Sequence, residues 1–432
     1  MTGTKGAWLK RIMAATAALA LMTAILPAGI EPVSVAAQEI QEADPGQAQI
    51  DALAGVQLPP DLGQSELHVY VEATGHSIRG SMLDYWRANG GEPVLGNPIS
   101  EPFGSVDGRY SQAFEAGVLQ FYPEYMWTDA PYMETMPVGQ TVLEERLGNF
   151  RRDGRRDFGG GDPRTYAWRP VAPGGNAAAK ALQEGGFYAQ ETAHTVRGNI
   201  ADWYDRVEGP YYLGNPLSQP VWERGATVQF FEGGLVMQHE NGRMALAPIV
   251  AEFADALGIN TEPVEQGNLP RYDESLLITA PNPNPIGSLS APGKRRIEVS
   301  IGQQTLWAYQ GETLVAQTLV STGLAPNETE LGLFHVRLKF PKQDMAGFTD
   351  ETGEVIGLGD DEEDRPSGSD TYEVEDVPHV MYINADAEAL HGAYWHNNFG
   401  NRMSHGCINL PLDFAHFLYG WAPLGTVVWV YQ

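Results

Sequence analysis

The 432-residue chain contains a single cysteine, Cys407. A chain with one cysteine has no internal disulfide, which excludes the small cross-linked scaffolds that are common among secreted proteins. An unpaired cysteine in an exported chain either bonds to another molecule or is reactive. His391 and His405 precede it closely in the sequence, and a neighbouring imidazole can activate a thiol. We therefore interpret Cys407 as a nucleophile, the alternative being a small buried core residue.

Positive charge is also scarce, because 27 Lys and Arg residues stand against 55 Asp and Glu residues, for a formal net charge of −28. This balance argues against a nucleic-acid partner, since phosphates require a basic protein face. A hydrophobic fraction of 43 % with 10 % aromatic residues excludes a disordered polyelectrolyte. The 49 glycines and 30 prolines indicate many turns, and they favour a β-rich protein over a helical bundle.

Long apolar runs are confined to the N-terminus. Three basic residues precede an apolar stretch at 12–28, and small residues follow at Val35-Ala36-Ala37. This order predicts a cleaved signal peptide at 1–37, the alternative being an uncleaved membrane anchor. We therefore expect export to the periplasm, the cell wall or the extracellular space.

The chain contains an internal repeat. The segment at 75–80 recurs at 193–198, and Leu95-Gly96-Asn97-Pro98 recurs as Leu213-Gly214-Asn215-Pro216. Each copy predicts a short amphipathic helix, with Ile78, Met82 and Trp86 of the first copy on one face, then a Gly-rich turn and a β-hairpin. The module is similar to short aromatic- and Gly-rich repeats of exported bacterial wall-associated proteins. That resemblance implies contact with cell-wall glycan, the alternative being a spacer.

The rest of the chain divides at changes of composition. From Arg295 onward apolar and polar residues alternate, which predicts a mostly antiparallel β domain with one short helix at 411–421. The fold class that we expect is mainly β: a sandwich-like C-terminal domain plus two small α+β modules. The boundaries are a linker at 38–66, module 1 at 67–150, a basic Gly-rich linker at 151–186, module 2 at 187–261, a Pro-rich linker at 262–293, and the C-terminal domain at 294–432 with an acidic insertion at 344–376. The insertion is interpreted as a solvated loop, with a lid or a calcium site as alternatives.

The C-terminal domain carries the chemistry. A free thiol is only partly ionised at neutral pH, so Cys407 needs a base that accepts its proton and returns it to the leaving amine. His405 would share its face if the segment were a strand, and a hairpin-like return through 397–401 would bring His391 alongside. Backbone N–H groups around Gly406 would face the developing oxyanion. The alternatives are a structural His405, or a zinc site of these residues for which no fourth ligand stands out.

These residues also resemble a known family. His391-Gly392 and Ser404-His405-Gly406-Cys407-Ile408-Asn409, with Ser321-Thr322-Gly323 upstream, are similar to the signature of L,D-transpeptidases, which cross-link peptidoglycan. The resemblance covers about residues 294 to 432. It implies that Cys407 is acylated and that His391 is the general base, oriented by the carbonyl of Gly392. His405 would shape the site. The oxyanion and substrate contacts that we expect are Tyr382, Gly406, Asn409, Trp395 and Arg402.

The resemblance further implies the reaction. The thiol attacks the bond between the third residue of a tetrapeptide stem, usually meso-diaminopimelate, and the terminal D-Ala, which leaves. The side-chain amine of a second stem then attacks the thioester and forms a 3→3 cross-link. Peptidoglycan stem peptides are thus the expected partners, and no cofactor or metal is expected. The alternatives are an L,D-carboxypeptidase, in which water is the acceptor, and a non-catalytic wall-binding protein.

Overall fold

The computed structural model describes residues 67–105, 109–125, 132–144, 167–207, 209–223, 225–359 and 365–432. The expected signal peptide and the 38–66 linker lie outside these residues, as do 151–166 of the basic linker and 360–364 of the acidic insertion. The described residues all fall within one compact unit. In this part of the chain, no helix has both the length and the apolar character needed to cross a membrane.

The first module combines a β-ribbon, two short helices and a four-stranded antiparallel sheet. Its helix begins after Arg79 rather than at Ile78, which lies in the second strand, but Ile78, Met82 and Trp86 are all buried as the pattern predicts. The elements are β1 His68–Val71, β2 His76–Arg79, α1 Gly80–Ala88, α2 Glu92–Leu95, β3 Phe103–Gly104, β4 Tyr110–Ala113, β5 Val118–Phe121 and β6 Met133–Thr135. Residues 138–144 are also helical.

The second module has the same order of elements after an additional N-terminal helix. Its sheet is again four-stranded and antiparallel, in the order β12-β11-β10-β9. The elements are α3 Asn176–Gln183, β7 Phe187–Ala189, β8 His194–Val196, α4 Gly198–Arg206, α5 Gly209–Tyr212, β9 Val221–Glu223, β10 Ala226–Phe231, β11 Gly234–His239, β12 Met244–Leu246 and α6 Val250–Leu257.

Each module is stabilised internally by an equivalent set of polar contacts. In the first, the Gln112 side-chain amide donates to the carbonyls of Ser77 and Ser100 at 2.7 and 2.9 Å. In the second, Gln229 donates to Thr195 and Ser218, both at 2.8 Å. Buried backbone carbonyls need such donors, so each glutamine ties its ribbon to its sheet in the same way.

The Pro-rich segment between module 2 and the C-terminal domain is packed rather than free. The amide of Tyr70 donates to the Pro270 carbonyl at 2.9 Å, and the amide of Tyr272 donates to Tyr70 at 2.8 Å. Further along, the side chain of Asn282 donates to the Val315 carbonyl at 2.9 Å. The segment therefore runs along β1 and then along the edge of the C-terminal domain, and it joins the two.

The C-terminal domain consists of two five-stranded sheets and one helix, so the mainly-β expectation is confirmed. The first sheet has the order β15-β14-β13-β22-β16 and the second β18-β17-β19-β20-β21. Their strands are β13 Arg295–Ser300, β14 Thr305–Gln310, β15 Thr313–Leu319, β16 Gly332–His335, β17 Leu338–Thr349, β18 Val355–Leu358, β19 Asp370–Tyr382, β20 Ala389–Gly392, β21 Ile408–Leu410 and β22 Val427–Tyr431.

Helix α7, Leu412–Trp421, begins directly after Pro411, as predicted. It buries Phe414, Phe417 and Trp421 against the domain. Full burial of one large apolar side chain contributes about 1.5–3 kcal/mol, so this face fixes the helix on the sheet that carries Cys407. The acidic insertion is not a loop throughout, because β17 and β19 continue through it as a long antiparallel pair and β18 adds a third strand.

One local expectation is wrong. β20 and β21 pair in parallel, with Leu390 opposite Ile408 and His391 opposite Asn409, so 393–407 is a crossover and not a hairpin-like return. Parallel neighbours require a longer connection than a hairpin. The loop provides that length and places the Trp395 ring beside that of His391.

Candidate active site

Three segments that are distant in sequence meet at the end of β21. His391 on β20 lies opposite Asn409 in the parallel pair. On the other side, Ser321 and Asn409 exchange backbone hydrogen bonds of 3.0 and 2.9 Å. The amide of Leu324 donates to the Ser404 carbonyl at 2.9 Å. The His-Gly, Ser-Thr-Gly and Ser-His-Gly-Cys segments therefore form one continuous backbone framework around Cys407.

His391 is held as a neutral base. Its Nδ1 lies 3.2 Å from the carbonyl oxygen of Gly392, and because a carbonyl only accepts, Nδ1 carries the proton. That tautomer leaves Nε2 as the nitrogen able to take a proton. Burial, with a smaller contribution from the neighbouring His396, lowers the pKa of His391 to about 4 against the opposing effect of the hydrogen bond to Gly392. The imidazole is therefore unprotonated at neutral pH.

Cys407 immediately precedes β21 and packs beside Val377, Val380 and Ala389. Burial raises the pKa of its thiol to about 11, and the Glu388 carboxylate also raises it. The sequence suggested a thiol readily ionised by its histidine neighbours. In the structure the resting thiol is protonated, because its apolar surroundings disfavour the charged form. Attack on a carbonyl then requires proton transfer during the reaction.

The turn before Cys407 depends on Gly406. Its φ is +122°, a region that favours glycine, and an added Cβ would lie 3.3 Å from the Glu388 Oε1. Thr329 donates its hydroxyl to the Gly406 carbonyl at 2.6 Å, which fixes the turn from outside. The Gly406 N–H contacts Ser404 Oγ at 3.3 Å, so in this resting arrangement it is engaged within the turn.

His405 does not share a strand face with Cys407, contrary to our expectation. The strand begins only at Ile408, because the Gly406 turn breaks the extended alternation. The His405 ring is exposed and stacks on Tyr372, with centroids 5.1 Å apart and planes at 17°. Tyr372 lies in the acidic insertion, and nothing in the sequence connected it to the site.

Two tyrosines lie close enough to Cys407 to interact with it electrostatically. Burial, together with Cys407 and Tyr372, raises the pKa of Tyr382 to about 12. The pKa of Tyr372 is also raised by burial and by Cys407. Both phenols are therefore protonated donors at neutral pH. Tyr382 had been expected near the reacting carbonyl, and it does lie beside the thiol.

The crossover loop brings a second imidazole to Asn409. His396 Nδ1 lies 3.2 Å from the Asn398 backbone amide nitrogen, and its Nε2 lies 2.9 Å from the Asn409 side-chain amide nitrogen. Trp395 is 41 % exposed, and its ring lies 5.7 Å from that of His391. Arg402 is half-buried in the same loop.

Glu388 is a further carboxyl at the site that the sequence did not single out. It accepts from the Glu330 amide at 3.0 Å and from the Asn384 side chain at 2.9 Å. Burial raises its pKa to about 7, with Glu330 and Asp386 adding to the shift. A half-buried carboxyl that titrates near neutrality beside a nucleophile affects the pH dependence of that nucleophile.

The described residues include no group of three or more His, Cys, Asp or Glu side chains arranged to hold a metal ion. Neither His391, His405 and Cys407, which were considered as zinc ligands, nor the described part of the acidic insertion forms such a group. The site brings together a half-buried thiol, a neutral imidazole and several hydrogen-bond donors.

Comparison with known proteins is consistent with this arrangement. Residues 294–430 match the YkuD L,D-transpeptidase catalytic domain. The solved catalytic domain of the Enterococcus faecium L,D-transpeptidase is 26 % identical, with 32 % of this chain and 97 % of that chain covered and a TM-score of 0.26. No curated protein gives a significant match. The match to the YkuD domain covers the C-terminal domain and includes neither of the two modules.

Two mycobacterial structures are also similar. For the L,D-transpeptidase from Mycobacterium smegmatis the identity is 21 %, with 33 % of this chain and 64 % of that chain covered and a TM-score of 0.25. L,D-transpeptidase 3 from Mycobacterium tuberculosis is 20 % identical, with 33 % of this chain and 66 % of that chain covered and a TM-score of 0.27. This chain therefore spans slightly less than two thirds of each of these mycobacterial chains.

Proposed function

We propose that this protein is an exported cysteine-dependent L,D-transpeptidase that makes 3→3 cross-links in peptidoglycan. The observation that carries the proposal is the position of His391. It is a neutral base with a defined tautomer, on the strand that pairs with the segment of Cys407. The match of residues 294–430 to an L,D-transpeptidase domain supports the substrate class.

The first half-reaction follows from the protonation states. As the donor stem binds, the proton on Cys407 Sγ moves to His391 Nε2 and the sulfur attacks the carbonyl of the third residue. The tetrahedral intermediate carries its negative charge on the former carbonyl oxygen, which hydrogen-bond donors must stabilise. Tyr382 is a protonated donor beside the sulfur. When the intermediate collapses, its C–N bond breaks and His391 returns the proton to the departing amine. D-Ala is released, and the donor stem remains bound to Cys407 as a thioester.

The second half-reaction uses the same base. The amine of an acceptor stem attacks the thioester carbonyl, His391 Nε2 accepts its proton, and the proton returns to the sulfur as the new amide forms. Water in place of the amine gives the L,D-carboxypeptidase reaction. The non-catalytic alternative is a protein that binds the cell wall but does not form the thioester.

The test uses the full chain and defined tetrapeptide muropeptides, with products identified by mass spectrometry. We expect release of D-Ala and appearance of 3→3 dimers, both lost in Cys407→Ala. His391→Gln should lower the rate by about 10²–10⁴-fold, the usual contribution of a general base. His335→Gln, a half-buried histidine outside the site, serves as the control. D-Ala release without dimers would assign the carboxypeptidase reaction, and unchanged turnover in Cys407→Ala would eliminate the mechanism.

We further propose that the two modules contact wall glycan. Trp222 on β9 of module 2 is 55 % exposed, and an exposed indole offers the flat apolar face that stacks on a sugar ring. Full-length Cys407→Ala protein should sediment with purified sacculi, and the added substitution Trp222→Ala should weaken this. Leu182→Ala, at an apolar residue on α3 that is still more exposed (66 %), is the control. Equal sedimentation of all three proteins would leave the modules as spacers.

A further inference from the structure

A second cluster of ionisable side chains lies where module 1 meets the C-terminal domain. An open cavity of about 340 Å³ is lined there by α1, the Pro-rich segment, β17, β19 and α7. Besides Tyr419, its ionisable lining residues are Asp84, Arg87, Lys339, His379 and His416. It shares no residue with the candidate active site.

The charges around this cavity do not balance. Arg87 binds Glu274 through Nη2 and, at 3.1 Å, through Nε, and Arg295 Nη2 binds the same carboxylate at 2.7 Å. Asp84 is 3.8 Å from Arg87. Lys339 is buried, and it donates to the backbone carbonyls of Tyr419 and Ala422. The described part of this cluster thus contains three basic side chains, each at least nine-tenths buried, against two carboxylates.

Two imidazoles add to the basic side of the cavity. The rings of His379 and His416 stack with centroids 4.7 Å apart and planes at 19°. His379 has a φ of +58°, which is uncommon for a residue with a side chain. Its Nδ1 is buried, with no hydrogen-bond partner among the described residues. His416 is exposed and marks the side from which a solute can enter.

We propose that this cavity binds a small oxyanion, a phosphate or carboxylate group, held by Lys339, His379 and His416. An anion would supply the counter-charge that the carboxylates do not provide, and buried charge is stable only when it is paired. It would also accept hydrogen bonds from the Lys339 ammonium group and from N–H groups of the two imidazoles. All three ligands belong to the C-terminal domain, while Asp84 and Arg87 of module 1 also line the cavity, so the bound anion would lie at the junction of the two.

The protonation behaviour agrees with this assignment. Burial, together with Arg87 and Arg295, lowers the pKa of Lys339 to about 7 against the opposing effect of Asp84. Burial lowers the pKa of His379 to about 4, with His416 and Lys339 adding to the shift. These bases repel one another's protons. A bound anion would raise the pKa values of these bases again, so its binding should be accompanied by proton uptake. The affinity for the anion should therefore fall as the pH rises above about 7.

The experiment follows the histidine ring signals of the full chain by NMR during titration with inorganic phosphate or acetate, at matched ionic strength in chloride. We expect saturable shifts at His379 and His416 at pH 6.5, with affinity falling by up to about tenfold per pH unit above 7, as expected for uptake of one proton. Comparison of the two anions distinguishes a phosphate site from a carboxylate site. The same titration on Cys407→Ser excludes binding at the active site.

Two variants test the ligands. Lys339→Met removes the charge while keeping a similar length, and His416→Gln changes an exposed residue that the fold does not need. Each should weaken anion binding at least tenfold. Lys180→Met and His239→Gln, outside the cavity, should leave it unchanged. Absence of saturable shifts up to about 10 mM anion, or equal affinity in wild type and both cavity variants, would overturn the proposal.

Discussion

At the scale of single residues, Cys407 and His391 are both neutral at rest. Burial raises the pKa of the thiol and lowers that of the imidazole, so an ion pair between them is disfavoured until substrate is present. This protects the thiol from the oxidants and disulfides that react with thiolates. The sequence identified both residues because Cys407 is the only thiol of the chain and His391 belongs to the His-Gly pair that precedes it. It did not identify Glu388, because its link to Cys407 comes from the packing of Gly406 against its carboxyl.

Glu388 should control the pH at which Cys407 reacts. Above about pH 7 it is ionised, and its negative charge raises the pKa of the thiol. Glu388→Gln keeps the shape and removes the charge, so the pH dependence of alkylation by iodoacetamide should move to lower pH. The change should be of the order of one pKa unit, the usual effect of a nearby charge. Glu351→Gln, an exposed acid in the same domain, is the control. An unshifted profile for Glu388→Gln would show that the two groups do not interact.

At the scale of elements, the alternating strands and the helix after Pro411 were predictable because hydrophobic periodicity and proline act locally. The parallel pairing of β20 and β21 was not, since strand direction depends on which distant segment lies alongside. The acidic insertion shows the same limit. Its charges indicate a solvated loop, yet its strands pair, and Tyr372 reaches His405 and the surroundings of Cys407.

Tyr372 should shield the thiol from solvent. Tyr372→Ala removes the ring that stacks on His405 and that packs near Cys407, so water gains access to the sulfur. Reduced burial should lower the thiol pKa, and alkylation at neutral pH should become several-fold faster. Tyr372→Phe keeps the ring and should behave like the wild type if the ring, rather than the hydroxyl, provides the shielding. Equal alkylation rates in all three proteins would place Tyr372 outside the access route.

At the scale of the whole molecule, the junction between module 1 and the C-terminal domain centres on one carboxylate. Glu274 lies in a 3-10 turn of the Pro-rich segment, Glu274–Leu276, and binds both Arg87 of module 1 and Arg295 of the C-terminal domain. The sequence indicated a Pro-rich linker there. The contact of Glu274 with Arg87 joins residues 187 positions apart, beyond the reach of any local pattern.

Glu274→Gln should therefore destabilise the protein strongly. It leaves two buried guanidinium groups without their shared counter-charge, a change that typically costs about 3–5 kcal/mol. The arginines, with Tyr272, lower the pKa of Glu274 to about 2 despite its burial. An acid with a folded-state pKa below its unfolded value stabilises the fold above the unfolded pKa, and this contribution is lost as the pH falls toward the folded pKa. The difference in free energy of unfolding between wild type and variant, measured with urea, should thus be largest at neutral pH and shrink between about pH 4.5 and 2. Glu262→Gln, an exposed acid in the same segment, should unfold like the wild type. A difference that stays constant across this range would mean that packing around the side chain, and not its charge, joins the module to the domain.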